Sequence, residues 1–239
     1  MHSYIMLDND TMSDHPDARK GRPGRYTGGM DNAPDPGRGT SSLRDEQVAQ
    51  TRAALIAAGR HLFGRDGYAA TSVEDLAREA RVTTGALYHH FRTKTALFET
   101  VFEQVHIGLL TAAADAAAGA PGEIEALARG FEAFLDSMLV PEVQRICITD
   151  APAVLGLARF TELDERYAFA TLAGELRAAI AAGRLQAEDP ETLARLLLGA
   201  LTRGSMLIAG SADARQTRDR VVRVIRALLT GLAQPSAPA

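Results

Sequence analysis

Residues 71–94, TSVEDLAREARVTTGALYHHFRTK, decide the fold, because they read as two short helices joined by a tight turn and followed by a longer helix. Thr71 and Glu74 have the spacing of a capping box, and Ser72 is a competing N-cap one residue later. Apolar residues then recur at helical spacing, and the turn falls at residues 79–81. The stretch therefore predicts a helix-turn-helix.

The second short helix is expected to start after Thr83, a good N-cap, and to end near His90. Leu87 and Phe91 are predicted to pack inward together with Ala86. The opposite face is predicted to consist of Thr83, Thr84, Gly85, Tyr88 and His89. A short helix with small, polar, hydrogen-bonding groups outward is suited to the major groove of DNA.

Residues 45–104 closely resemble the DNA-binding domain of TetR/AcrR-type transcriptional regulators. The matching elements are LFGRDGY, ATSVEDLAREARV, TTGALYHHFRTK and ALFETVFEQV, in that order. The resemblance implies that Lys94 contacts DNA phosphate, and Thr71 and Thr83 are candidates to do so besides their capping roles. One residue departs from the family pattern: Arg81 stands where the family usually has a glycine, which predicts strain or an altered turn.

The composition predicts an all-α protein of normal globular character. The chain has 239 residues, of which 46% are apolar and 23% charged, and strand-forming residues do not occur in alternating runs. No apolar run of about 18 residues and no signal peptide is evident, and the one cysteine excludes an internal disulfide, so a cytoplasmic protein without a membrane partner is expected. Net charge is −4, and residues 44–106 carry eight basic and eight acidic residues, so bulk charge does not predict DNA binding.

Four regions are predicted along the chain: a disordered tail over 1–43, the helix-turn-helix domain over 44–106, a helical ligand-binding and dimerisation domain over 107–233, and a tail over 234–239. The first tail contains RKGRPGR, which resembles an AT-hook; Arg22 and Arg25 would then enter a narrow minor groove. A solvated basic patch is the favoured alternative, because short motifs often match by chance.

The C-terminal region has helices that are apolar on more than one face, which favours burial against a partner chain. The family resemblance implies a homodimer through a four-helix bundle, and Leu176 and Leu197 are candidate interface positions. Side chains that are candidates to line a ligand pocket, each also explained as ordinary core, are His106, Phe134, Met138, Tyr167 and Met206. Cys147, in an apolar stretch, is interpreted as a small buried hydrophobe rather than a thiol sensor.

The sequence thus favours a dimeric DNA-binding regulator, most simply a repressor that an unknown small-molecule effector releases from its operator. No nucleophile–base set, phosphate loop or metal-ligand spacing is apparent, so neither catalysis, a metal nor a cofactor is expected. The alternatives are a small helical enzyme and a ligand-binding protein that has lost DNA recognition. The effector, the operator and the regulated genes are not encoded in any motif.

Overall fold

A computed structural model describes residues 36–233, with side chains from Leu43 onward. Its helices are α1 (Pro36–Asp66), α2 (Val73–Glu79), α3 (Thr84–His90), α4 (Lys94–Ala117), α5 (Glu123–Ser137), α6 (Pro141–Gln144), α7 (Ala151–Leu155), α8 (Leu157–Asp164), α9 (Ala170–Ala181), α10 (Pro190–Ala209) and α11 (Ala214–Leu232). A first π-helical segment, Arg145–Asp150, joins α6 to α7, and a second, Glu165–Phe169, joins α8 to α9. The predicted all-α class is confirmed; over residues 36–233 there is only an isolated bridge between Leu185 and Ala233.

The helix boundaries follow the predicted caps at some positions and not at others. Asp189 caps α10, since its Oδ1 accepts from the amides of Glu191 and Thr192, and Thr93 caps α4. Of the two competing N-caps predicted for α2, the structure has Ser72, and Asp75 rather than Glu74 completes the capping box. Asp213 caps α11, since its side chain accepts from the amide of Gln216.

The predicted tails lie mostly outside the described residues. Arg22 and Arg25 are among residues that the structure does not describe, so the minor-groove hypothesis stays a prediction. The first helix begins at Pro36, so the boundary predicted after residue 43 falls inside α1.

An aromatic cluster fastens the N-terminal helices to α4. Phe63 of α1 meets Phe98 of α4 edge to face with centroids 5.2 Å apart, and Tyr68 lies 5.3 Å from Phe98. Gly59 allows α1 to approach closely, because a Cβ there would lie 3.0 Å from Val101 Cγ2. As a result α4 is part of the core of the helix-turn-helix domain while its later turns extend into the C-terminal domain.

The C-terminal domain packs α5, α10 and α11 together, and α8, the second π-helical segment and α9 form one continuous rod. Leu176 and Leu197 are buried inside this domain, at 0% and 6% exposure. Their assignment to the dimer interface was therefore wrong, since apolarity alone did not tell which side of each helix faces the core. By length and composition alone, α10 is long and apolar enough to span a membrane. A third of its apolar stretch is buried inside the fold.

Candidate nucleic-acid interface

The outward face of α3 carries the polar residues that the sequence predicted. Leu87 and Phe91 are buried, whereas Thr83, Thr84, Gly85 and His89 are exposed and Tyr88 is 51% exposed. Thr83 Oγ1 accepts from the amide of Ala86 at 3.1 Å, so its capping role is confirmed. The large aromatic ring of Tyr88 is thus left in solvent beside small polar groups, an arrangement that fits an external partner rather than the core.

No packing contact with the described residues requires glycine at position 85. A Cβ added there would meet only Thr83 Oγ1, at 3.8 Å. Glycine is a poor helix former, so its presence near the start of α3 has a conformational cost that the described neighbours do not explain. Close approach of a surface from outside the chain is a physical reason for the missing side chain.

The turn before α3 is a left-handed helix end made without glycine. Arg81 has a φ of 57°, and among the described residues no other non-glycine residue has a positive φ. The Val82 amide donates to the Ala77 carbonyl at 2.9 Å and the Arg81 amide donates to that of Arg78 at 3.1 Å. These hydrogen bonds close the end of α2 in the usual way, so the turn is not altered, and Arg81 occupies the left-handed conformation that glycine adopts at lower cost.

Lys94 clamps the loop in front of α2. Its ammonium donates to the carbonyls of Tyr68 and Thr71 at 2.8 and 2.9 Å and lies 4.0 Å from the centroid of the Tyr68 ring. Two of its three N–H donors are therefore used within the protein, and its contact with phosphate stays a prediction. Sequence reasoning missed this structural role, because no local pattern joins residues 68–71 to the start of α4.

Thr71 is less accessible than expected. Its side chain is 2% exposed and its hydroxyl donates to the Gly67 carbonyl at 2.8 Å. The hydroxyl therefore stabilises the loop and is not presented to an external phosphate. Arg81 and Arg92 are exposed at the two ends of α3 and provide positive charge there, whereas Arg78 is paired with Asp75.

The interior of the C-terminal domain joins some of the predicted pocket residues. His106 is buried, with its ring 6.3 Å from that of Tyr167 and stacked on Phe102 at 5.5 Å. Burial lowers the pKa of His106 to about 4, so the imidazole is neutral at neutral pH. Asp164, which was not among the predicted pocket residues, places its Oδ1 3.5 Å from His106 Nε2. Its spacing of four residues from Phe160 puts the two on the same inward face of the helix.

The remaining pocket candidates lie in different surroundings. Met138 is fully buried and Phe134 half-buried near the end of α5. Met206 is 38% exposed on the outer side of α10, so it does not line the interior as predicted. Cys147 is buried, and burial raises the pKa of its thiol to about 12, as expected for an inert core residue.

A cleft of about 380 Å³ separates the loop after α1 from the first π-helical segment. At its edge the Tyr68 amide donates to Asp150 Oδ2 at 2.7 Å, and nearby Arg60 pairs with Glu142 at 2.6 Å. Gly64 packs against Glu142 so closely that a Cβ would lie 2.2 Å from Glu142 Cγ. These contacts connect the helix-turn-helix domain to the C-terminal domain at a second place besides α4.

An exposed apolar face runs along the adjacent helices α10 and α11. Its large side chains, between 38% and 67% exposed, are Leu196, Met206, Leu207, Val224 and Leu228. Gly199 lies one helical turn after Leu196 on α10, and a Cβ added there would meet nothing within 4 Å. Several large apolar side chains exposed on two packed helices are typical of an interface with another chain.

Comparisons with known proteins agree with both halves of the fold. A family model described as bacterial regulatory proteins, tetR family, matches residues 55–101, and one described as tetracyclin repressor-like, C-terminal domain, matches residues 124–232. The Transposon Tn10 TetC protein of Escherichia coli is 28% identical over 159 residues, which cover 65% of this chain and 79% of that protein.

Solved structures extend the likeness to most of the chain. The crystal structure of a TetR-family transcriptional regulator from Pectobacterium atrosepticum superposes with a TM-score of 0.71 and 33% identity, over 81% of this chain and 98% of that one. RolR in complex with resorcinol superposes with a TM-score of 0.62 at 18% identity, over 82% and 98% of the two chains, which is a likeness of fold.

Proposed function

From the premise that this chain belongs to the TetR family of transcriptional regulators, we propose that the protein is a homodimeric, cytoplasmic repressor that a small molecule releases from operator DNA. The observation that carries the proposal is the outward face of α3. Tyr88 is exposed there next to Thr84 and Gly85, and Leu87 on the opposite face is buried in the core. DNA-binding regulation is the common property of the family; repression and release are the parts proposed.

DNA recognition uses α3 in the major groove. Thr84, Tyr88 and His89 supply hydroxyl, phenol and imidazole groups for base edges and phosphates, and Gly85 lets the helix backbone come close. Arg81 and Arg92 add backbone contacts at either end, where their charges are exposed. With equal numbers of basic and acidic residues in this domain, the local grouping of these cations supplies the attraction.

Dimerisation buries the apolar face of α10 and α11 against the same face of a second copy. Two helices from each chain then form a four-helix bundle about a two-fold axis. Such symmetry suits a palindromic operator whose half-sites are about one helical turn, roughly 34–36 Å, apart. The face also accounts for the apolar character of α10 without a membrane.

Release by an effector requires that α4 link the two domains. Lys94, at the start of α4, holds the loop in front of α2, and His106, further along the same helix, lies in the C-terminal interior. A ligand that shifts α4 at His106 therefore also shifts the loop that positions α2 and α3. The ligand must bind the released arrangement more tightly than the DNA-bound one, since otherwise the equilibrium does not move.

The test is binding of the purified protein to DNA flanking its own gene, measured by fluorescence anisotropy and footprinting. Tyr88→Ala is expected to abolish specific binding, while Gln216→Ala, an exposed position at the start of α11, is the matched control and retains it. Full affinity in Tyr88→Ala would refute the assignment of α3 as the recognition helix. Failure of the unmodified protein to bind any fragment would favour a ligand-binding protein that has lost DNA recognition.

A further inference from the structure

His106 is a buried side chain with an unpaired polar atom. It is 4% exposed, and its Nε2 has no hydrogen-bond partner among the side chains and backbone described from residue 43 onward. Asp164 Oδ1 lies 3.5 Å away, beyond the usual range of a formed hydrogen bond. Buried polar atoms are nearly always satisfied, so an unpaired one indicates that a ligand or a water completes the site.

Asp164 forms no ion pair with a lysine or arginine among the described residues. The arginines on either side of it in sequence are engaged elsewhere: Arg159 donates to Glu99 at 2.5 Å, and Arg166 donates to Glu162 at 2.8 Å. Burial raises the pKa of Asp164 to about 6, so the group is still ionised at neutral pH and accepts hydrogen bonds. Its side chain is 21% exposed, whereas that of His106 is 5% exposed, so the carboxylate lies nearer to solvent.

Aromatic rings surround this pair. Phe102 stacks on His106, Phe160 lies 5.8 Å from Phe102, and Tyr167 faces the imidazole from the second π-helical segment. Tyr167 donates its hydroxyl to Glu103 at 3.2 Å, which leaves its ring to form the wall. Short π-helical insertions occur frequently at functional sites, and this one is directly next to Asp164.

We infer that His106 and Asp164 form the polar anchor of the effector site, and that the site takes a small aromatic molecule carrying a neutral hydroxyl group. The inference rests on the proposed effector role of the C-terminal domain. The hydroxyl donates its one hydrogen to Asp164, and its oxygen accepts a hydrogen bond from the Nε2–H of His106. It therefore satisfies both groups at once. The ring packs among Phe102, Phe160 and Tyr167, as aromatic ligands do in apolar pockets.

A neutral hydroxyl fits this site better than an ammonium group, and the imidazole of His106 shows why. His106 is close to a carboxylate, yet desolvation keeps its imidazole neutral. A ligand ammonium in the same place would have the same desolvation cost. A neutral donor avoids that cost and still pairs with Asp164.

Isothermal titration of the intact protein at neutral pH tests this assignment with three matched probes: 2-naphthol, 2-methylnaphthalene without a hydroxyl, and protonated 2-naphthylmethylamine. The unmodified protein is expected to bind 2-naphthol most tightly. Asp164→Asn is expected to weaken 2-naphthol binding at least about tenfold. Glu188→Gln, an exposed carboxylate in the loop before α10, is the control and keeps full affinity.

Three results would overturn the assignment: no binding of 2-naphthol by the unmodified protein, equal binding by Asp164→Asn, or tighter binding of the ammonium probe. Circular dichroism of each variant establishes that the fold is kept. The DNA-binding assay separates this inference from the proposed function. Specific 2-naphthol binding without DNA binding would remove the repressor role alone, and DNA binding without 2-naphthol binding would remove the anchor alone.

Discussion

Replacing Asp164 by asparagine should stabilise the protein at alkaline pH and not at acidic pH. The carboxyl is buried, and desolvation raises its pKa from 3.8 to about 6. An acid whose pKa is raised in the folded state supports folding below its unfolded pKa, and this support is lost as the pH rises through the folded pKa. At pH 8 the ionised Asp164 is therefore a cost to the fold that asparagine does not have.

The size of the effect follows from the two pKa values. The difference between the folded and unfolded pKa of Asp164 corresponds to roughly 3 kcal/mol over the full titration. Between about pH 5 and pH 8 the linkage relation gives about 1.5 kcal/mol of that total. His106 titrates in both proteins, so its contribution largely cancels from the difference between the variant and the unmodified protein.

Urea unfolding followed by circular dichroism at the two pH values measures this difference. The free energy of unfolding of Asp164→Asn, relative to the unmodified protein, should rise by about 1.5 kcal/mol from pH 5 to pH 8. Glu162→Gln is the control, because the pKa of this exposed carboxyl changes in the opposite direction: the hydrogen bond from Arg159 lowers it. Replacing Glu162 should therefore not raise the free energy of unfolding at pH 8. A relative stability of Asp164→Asn that stays constant with pH would refute the picture of a buried, unpaired carboxylate.

Three further substitutions test other parts of the molecule. Arg81→Gly should raise the free energy of unfolding by about 1 kcal/mol, since glycine adopts the left-handed conformation without a Cβ clash; urea unfolding that shows no gain would contradict the strain at this turn. Gly85→Ala should stabilise the fold by up to about 1 kcal/mol yet weaken DNA binding, and an unchanged anisotropy titration would show that nothing approaches the backbone there. Leu228→Glu should yield folded monomers by light scattering, while Leu157→Glu, on an exposed position of α8, should not alter the oligomeric state; a dimeric Leu228→Glu protein would locate the interface elsewhere.

Much of the DNA-reading element could be predicted because its determinants are local. The cap at Thr83, the inward Leu87 and Phe91, and the left-handed turn at Arg81 all depend on residues within one or two helical turns. Helical periodicity also indicated the outward face of α3. Where two caps competed, as at Thr71 and Ser72, the local pattern could not choose between them, because both satisfy nearly the same amides.

The sequence by itself determined the all-α class, the helix-turn-helix and the side of α3 that faces outward, since spacing along a helix fixes which residues share a face. Only the tertiary structure decided that Leu176 and Leu197 belong to the core and Leu228 to the exposed face, because periodicity does not tell which neighbour a stripe meets. It likewise brought His106 to Asp164 and Lys94 to the carbonyls of Tyr68 and Thr71. Those contacts join residues distant along the chain, and they form only when whole helices pack against one another.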